Sequence, residues 1–71
     1  MSRIISWNER KSWSMQHDCT MARISGFDDR NQEHWTMIET GKGYADRRKD
    51  AIEMLQESIE RGDLPGEMKN A

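Results

Sequence analysis

The chain has a single cysteine, Cys19, in 71 residues. No intramolecular disulfide can form. There is no Cys-x-x-Cys pair and no paired-histidine motif, so the spacing gives no support for zinc, and no metal or other cofactor is expected. No apolar run approaches the roughly 18 residues that a membrane span needs. The opening residues, Met1-Ser2-Arg3-Ile4-Ile5-Ser6-Trp7, lack the long apolar stretch of a secretion signal. A reducing cytoplasm without membrane contact is the expected compartment. Phenylalanine occurs once and leucine twice, and hydrophobic residues, at 34%, are no more abundant than charged ones, also 34%. The core is therefore lean. A chain of this length buries only about 60% of the surface its unfolded form exposes. Small-molecule pockets need several hundred cubic ångströms, so an enzyme is not expected and no catalytic residues are assigned.

Charge of one sign is not in large excess, but it is unevenly placed. The net charge is −2. Residues 1–27 are net basic, while residues 28–71 are net acidic. An acidic whole argues against a general nucleic-acid coat protein, which would be basic. It leaves room for a local basic patch.

What the chain does have is one sharply two-faced segment between Tyr44 and Gly62. Tyr44, Ala51, Ile52, Leu55 and Ile59 recur at helical spacing. Asp46, Asp50, Glu53, Glu57 and Glu60 recur at steps of four, three, four and three. At 100° per residue these five acids fall within a stripe roughly 80° wide, opposite Leu55. The apolar side predicts packing on a sheet. Asp46 is read as the N-cap. Gly62 supplies a left-handed C-cap, and Pro65 prevents the helix from resuming.

Upstream, Arg3 to Trp7 reads as a short strand and Asn8-Glu9-Arg10-Lys11 as a polar turn. Ser12 to Ser25 is a second extended region, and Gly26 to Gln32 is a loop. Glu33 to Thr40 alternates as a strand, and Gly41-Lys42-Gly43 stops it. The order predicts an α+β fold: a three-stranded antiparallel sheet with one C-terminal helix packed on one face. Residues 1–62 form this single domain, and 63–71 are expected to be a flexible tail. Ala22, Ile24 and Ile38 share one sheet face. Cys19, Met21, Trp35 and Met37 share the other, so one set lies under the helix and the other meets solvent or a partner. Of Trp7, Trp13 and Trp35, one or two are expected in the core and at least one at a partner surface. Cys19 and His34 sit on strands that can pair, which leaves a Cys–His dyad open.

Gly41-Lys42-Gly43 followed by Arg47-Arg48-Lys49 resembles the third-strand-to-last-helix segment of double-stranded-RNA-binding domains. That resemblance implies phosphate contact by Lys42, Arg47, Arg48 and Lys49. The three-strand-plus-helix plan is also similar to the arm-binding domains of phage-type integrases, which place their sheet in a DNA groove. In size, acidity and single-domain plan the chain resembles small inhibitors from phages and mobile elements, of the anti-restriction and anti-CRISPR kinds. That likeness implies non-catalytic binding to a larger host protein or ribonucleoprotein complex. The acidic row Asp46, Asp50, Glu53, Glu57 and Glu60 would be one contact surface, and the sheet face of Trp35, Met37 and Met21 another. Direct nucleic-acid binding is the alternative. A homodimer through the uncovered sheet face or an edge strand is a third arrangement.

Overall fold

Strand pairing begins with residues that carry almost no local strand signal. In the computed structural model, which describes residues 3–62, β1 runs from Ile4 to Ser14, β2 from Cys19 to Asp28 and β3 from Glu33 to Glu39. They form one antiparallel sheet in the order β1-β2-β3, and α1 follows from Tyr44 to Arg61. The α+β architecture is the one expected. The expected tail at 63–71 lies outside the described residues, as do Met1 and Ser2.

The first hairpin is longer than its residues suggest. Asn8-Glu9-Arg10-Lys11 is not a turn but the middle of β1, where these residues face Ser25, Ile24, Arg23 and Ala22 of β2. The turn falls at residues 15–18 instead, with Asp18 in the left-handed region at φ 53°. Strand propensity is weak and yields to cross-strand pairing. An edge strand solvated on both faces also needs no apolar alternation to stay extended. At the other end β2 continues through Gly26 and Phe27 to Asp28, so the second turn is only residues 29–32, with Asn31 at φ 63°.

Gly26 has a packing reason to lack a side chain. A Cβ there would lie 2.6 Å from Ile4 Cδ1, 3.0 Å from Ile4 Cγ2 and 3.1 Å from Trp7. Gly26→Ala is expected to push Ile4 and Trp7 outward and cost about 1–2 kcal/mol. Urea denaturation checks this, with the exposed, open Gly41→Ala as the comparison.

The helix starts one turn earlier than a cap at Asp46 would allow. Gly43, at φ 84°, is the N-cap and offers no side-chain bond. The turn closes instead through the Tyr44 N–H donating to the Gly41 carbonyl at 3.1 Å. Asp46 sits inside the first turn, where its charge favours the helix dipole. At the far end Gly62, also at φ 84°, donates its N–H to the Ile59 carbonyl as expected.

Helix α1 packs on β2 and β3. Ala22 and Ile24 of β2 meet Ala51 and Leu55 of the helix, with Ile4, Ile38, Tyr44 and Ile52 packed around them. Leu55 is fully buried and Ile59 nearly so. Covering β2 and β3 leaves β1 to one side, and this decides the fate of the tryptophans. Trp7 is 40% exposed and Trp13 61%, while Trp35 is half-buried. No tryptophan enters the core, contrary to expectation. The core is aliphatic, because a single helix cannot span three strands.

Candidate functional site

The outward side of α1 carries Asp46, Asp50, Glu53, Glu57 and Glu60, and all five are exposed. No hydrogen bond or ion pair joins any of them to another described residue. The packing of Leu55 and Ile59 fixes the rotation of the helix, so the middle of the row stands opposite the sheet, while Asp50 and Glu60 flank it, beside Ile38 of β3 and beside Arg3 and Ile4 respectively. Five like charges in line on a fixed element set up a field that attracts a basic surface.

The four cations of the predicted basic cluster are not equivalent. Arg47 is half-buried and bent back over the preceding turn: its Nε donates to the Glu39 carbonyl at 3.1 Å and its guanidinium to the Gly41 carbonyl at 3.2 Å. It closes the turn that Gly43 cannot cap. Arg48 reaches along the sheet edge to β1, where its Nε donates to Glu9 Oε1 at 2.7 Å. The Tyr44 hydroxyl donates to the other Glu9 oxygen, and Lys11 stands 4.8 Å from the Tyr44 ring centre. The Arg48 bond, with help from Tyr44, holds the Glu9 carboxyl below its usual range. The same bond raises Arg48, while desolvation and then Glu9 raise the Tyr44 phenol. This network fastens α1 to the one strand it does not cover. Lys42 and Lys49 are exposed and make no bond to a described residue. Two of the four cations are therefore committed within the fold.

The sheet face away from the helix is less apolar than expected. Met37 is 42% exposed, but Met21 is only 5% exposed and is a packing residue rather than a surface contact. Arg23 lies over the Trp35 ring, 4.1 Å from its centre, and donates to Glu33 Oε1 at 3.0 Å. Glu33 also accepts from the Ser25 hydroxyl at 2.7 Å. Asn8, Arg10, Arg23, Ser25 and Glu33 line a polar depression of about 220 Å³ on this face.

Cys19 and His34 do not meet. Cys19 begins β2, and its thiol lies 3.6 Å from Met21 Sδ. His34 faces Gly26 in the register, seven residues further along β2. At about 3.3 Å per residue that is a separation of roughly 23 Å. The partner of His34 is Asp28, which accepts from His34 Nε2 at 2.9 Å, and both side chains are buried. Asp28 Oδ1 also accepts from the backbone N–H groups of Arg30 and Gln32, at 2.8 and 2.9 Å. The bond to His34, then those to the turn, lower the Asp28 carboxyl below its ordinary value against the opposing effect of burial. An ionised carboxylate only accepts, so His34 Nε2 carries the proton. The Asp28 and His34 roles were not read from the sequence. The signal for them is the Asp-x-x-x-Gln-x-His spacing across a two-strand turn. Among the described residues no three His, Cys, Asp or Glu side chains come together as metal ligands. No described helix is long and apolar enough to cross a membrane.

No protein-family model matches the chain, and neither a curated protein nor a solved structure matches it significantly.

Proposed function

We propose that this chain is a non-catalytic protein-binding module that lays its acidic helix face in a basic groove of a larger protein. In its sharpest form it is a phage- or mobile-element-type inhibitor of a host nucleic-acid-handling machine, such as a CRISPR or restriction complex, acting in the cytoplasm. The observation that carries this reading is the contrast in charge use. All five ridge carboxylates are exposed without a partner among the described residues, whereas Arg47 and Arg48 are spent on the turn and on β1. Attraction between the ridge and a basic groove would speed encounter, while apolar contacts supply most of the holding energy. Direct nucleic-acid binding keeps one favourable observation, the exposed pair Lys42 and Lys49 at the start of the helix.

A tagged pull-down from the native cell, treated with nuclease, separates the two readings. Glu53→Lys with Glu57→Lys is expected to weaken capture of the protein partner by about tenfold or more. Lys42→Glu with Lys49→Glu should leave capture nearly unchanged. These lysines are better probes than Arg47 and Arg48, whose loss would loosen the fold itself. If the lysine variant abolishes capture and the ridge variant does not, the acidic-face reading is wrong. A gel shift that falls steeply with salt would then support the alternative.

A further inference from the structure

β1 is an edge strand of 11 residues, and no described strand pairs with its outer side. Free edges of this length invite pairing with another chain unless something blunts them. The side chains of this edge have an order that selects one partner. On the helix side β1 presents Trp7, Glu9, Lys11 and Trp13, opposite Gly26, Ile24, Ala22 and Thr20 of β2. The helix does not lie on this strip: it reaches only the middle, where Arg48 and Tyr44 bond Glu9 and the Tyr44 ring stands beside Lys11, so the charges of a second copy would join this network rather than meet free side chains. Trp7 and Trp13 remain exposed at either end. Read backwards, the strip is Trp, Lys, Glu, Trp. It is complementary to its own reverse.

We propose that β1 pairs antiparallel with β1 of a second copy, about a two-fold axis through Arg10. A two-fold axis that pairs one strand with itself antiparallel runs perpendicular to the sheet. Both helices then stand on the same face, and residues directly opposite each other share that face. In this register Trp7 faces Trp13 of the second copy, and Glu9 faces Lys11. Each of these pairs is formed twice. Aromatic pairs and opposite charges are the contacts that stabilise neighbouring strands. Shifting the register by two residues either way places Glu9 against Glu9 or Lys11 against Lys11, and separates the tryptophans. The pairing extends from Ser6 to Ser14 and stops at the irregularity between Ile4 and Ser6.

The assembly is a continuous six-stranded sheet. Its helix axes stand about four strand spacings apart, roughly 19 Å, with the Trp-Glu-Lys-Trp strips as the floor between them. Both acidic ridges lie on the same side of this assembly. Arg10 meets its own copy on the opposite face, beside Arg23. That like-charge contact limits the strength of the dimer and marks its axis. The inference is independent of the acidic-face reading, because it rests on β1 alone.

Two arms test it on the full chain. Sedimentation equilibrium from about 10 to 500 µM is expected to show a monomer–dimer equilibrium for the native chain. Lys11→Glu, which sets a second carboxylate against Glu9 in both copies of that pair, is expected to weaken it at least tenfold with the far-UV spectrum unchanged. The second arm uses a Cys19→Ser background under oxidised glutathione. Arg10→Cys is expected to form a disulfide-linked dimer, because residues opposite each other lie about 4.5–5.5 Å apart at Cα. Asn8→Cys is expected to stay uncrosslinked, since its two copies would lie about 14 Å apart. A native chain that remains monomeric throughout overturns the proposal. So does equal cross-linking of Asn8→Cys and Arg10→Cys. If Lys11→Glu unfolds, the cysteine arm decides alone.

Discussion

Leu55→Ala is expected to remove about 3–5 kcal/mol of stability. A chain of this size has on the order of 4–10 kcal/mol in total, so the variant stands at the edge of unfolding. Leu55 is fully buried at the centre of the only aliphatic cluster among the described residues, between Ala22, Ile24 and Ala51. Alanine neighbours cannot move in to fill the gap, so the cavity term is close to its maximum. At about 4–8 °C per kcal/mol the thermal midpoint falls by roughly 15 °C or more. Met54→Ala is the control. Met54 is the preceding residue of the helix but is 39% exposed, and its loss should stay within about 1 kcal/mol. Thermal melts followed by far-UV circular dichroism check the pair. Equal melting points would mean that the helix presents a different face to the sheet.

The second large effect concerns Asp28. Asp28→Ala strips the acceptors from three donors at once: the N–H groups of Arg30 and Gln32 and the ring of His34. The His34 ring is the buried donor of the three, and an unpaired buried donor is among the more damaging changes a fold can take, while the N–H groups of the exposed Arg30 and Gln32 lose the bonds that shape the turn. The melting point is expected to drop on the order of 10 °C, against almost no change for the exposed Asp29→Ala. Asp28→Asn keeps one oxygen for the turn and should lose less. Its informative readout is pH. The folded-state value for Asp28 lies below the ordinary 3.8. Its contribution is therefore complete above that ordinary value and is lost as pH falls through the lowered folded one. The native chain should lose melting temperature between about pH 5 and pH 2, with Glu9 adding in the same direction. Asp28→Asn should flatten this slope without abolishing it, since Glu9 still titrates. An unchanged slope would show that the Asp28 carboxylate is not ionised in the folded chain.

The acidic ridge was legible as a row, but whether it was free was not. Spacing alone places Asp46 through Glu60 on one stripe, because helical angles are local geometry. It does not say whether cations from the sheet fold over that stripe. The basic cluster shows the converse. Arg47 and Arg48 are adjacent and look alike in the sequence, yet one ties a turn and the other ties α1 to β1. Those partners lie at Glu39 and Gly41 in one case and 39 residues back in the other. No short window of sequence contains both ends of the Arg48–Glu9 bond.

By itself the sequence determined α1 and its end, β3, and the division of β2 into a face of Ala22 and Ile24 and a face of Met21. Each of these rests on a period or a cap that a few neighbouring residues define. Only the tertiary structure decided that Asn8 to Lys11 is strand, that the helix covers β2 and β3 but not β1, and that the tryptophans stay out of the core. It also decided that Asp28 holds the second turn and His34 together. For the first three the physical reason is shared: an edge strand acquires its conformation and its surroundings from partners distant in the chain, so its own residues carry no local record of them. Asp28 differs, since its partners lie two, four and six residues on, but only the closing of the β2–β3 hairpin brings His34 back beside its carboxylate.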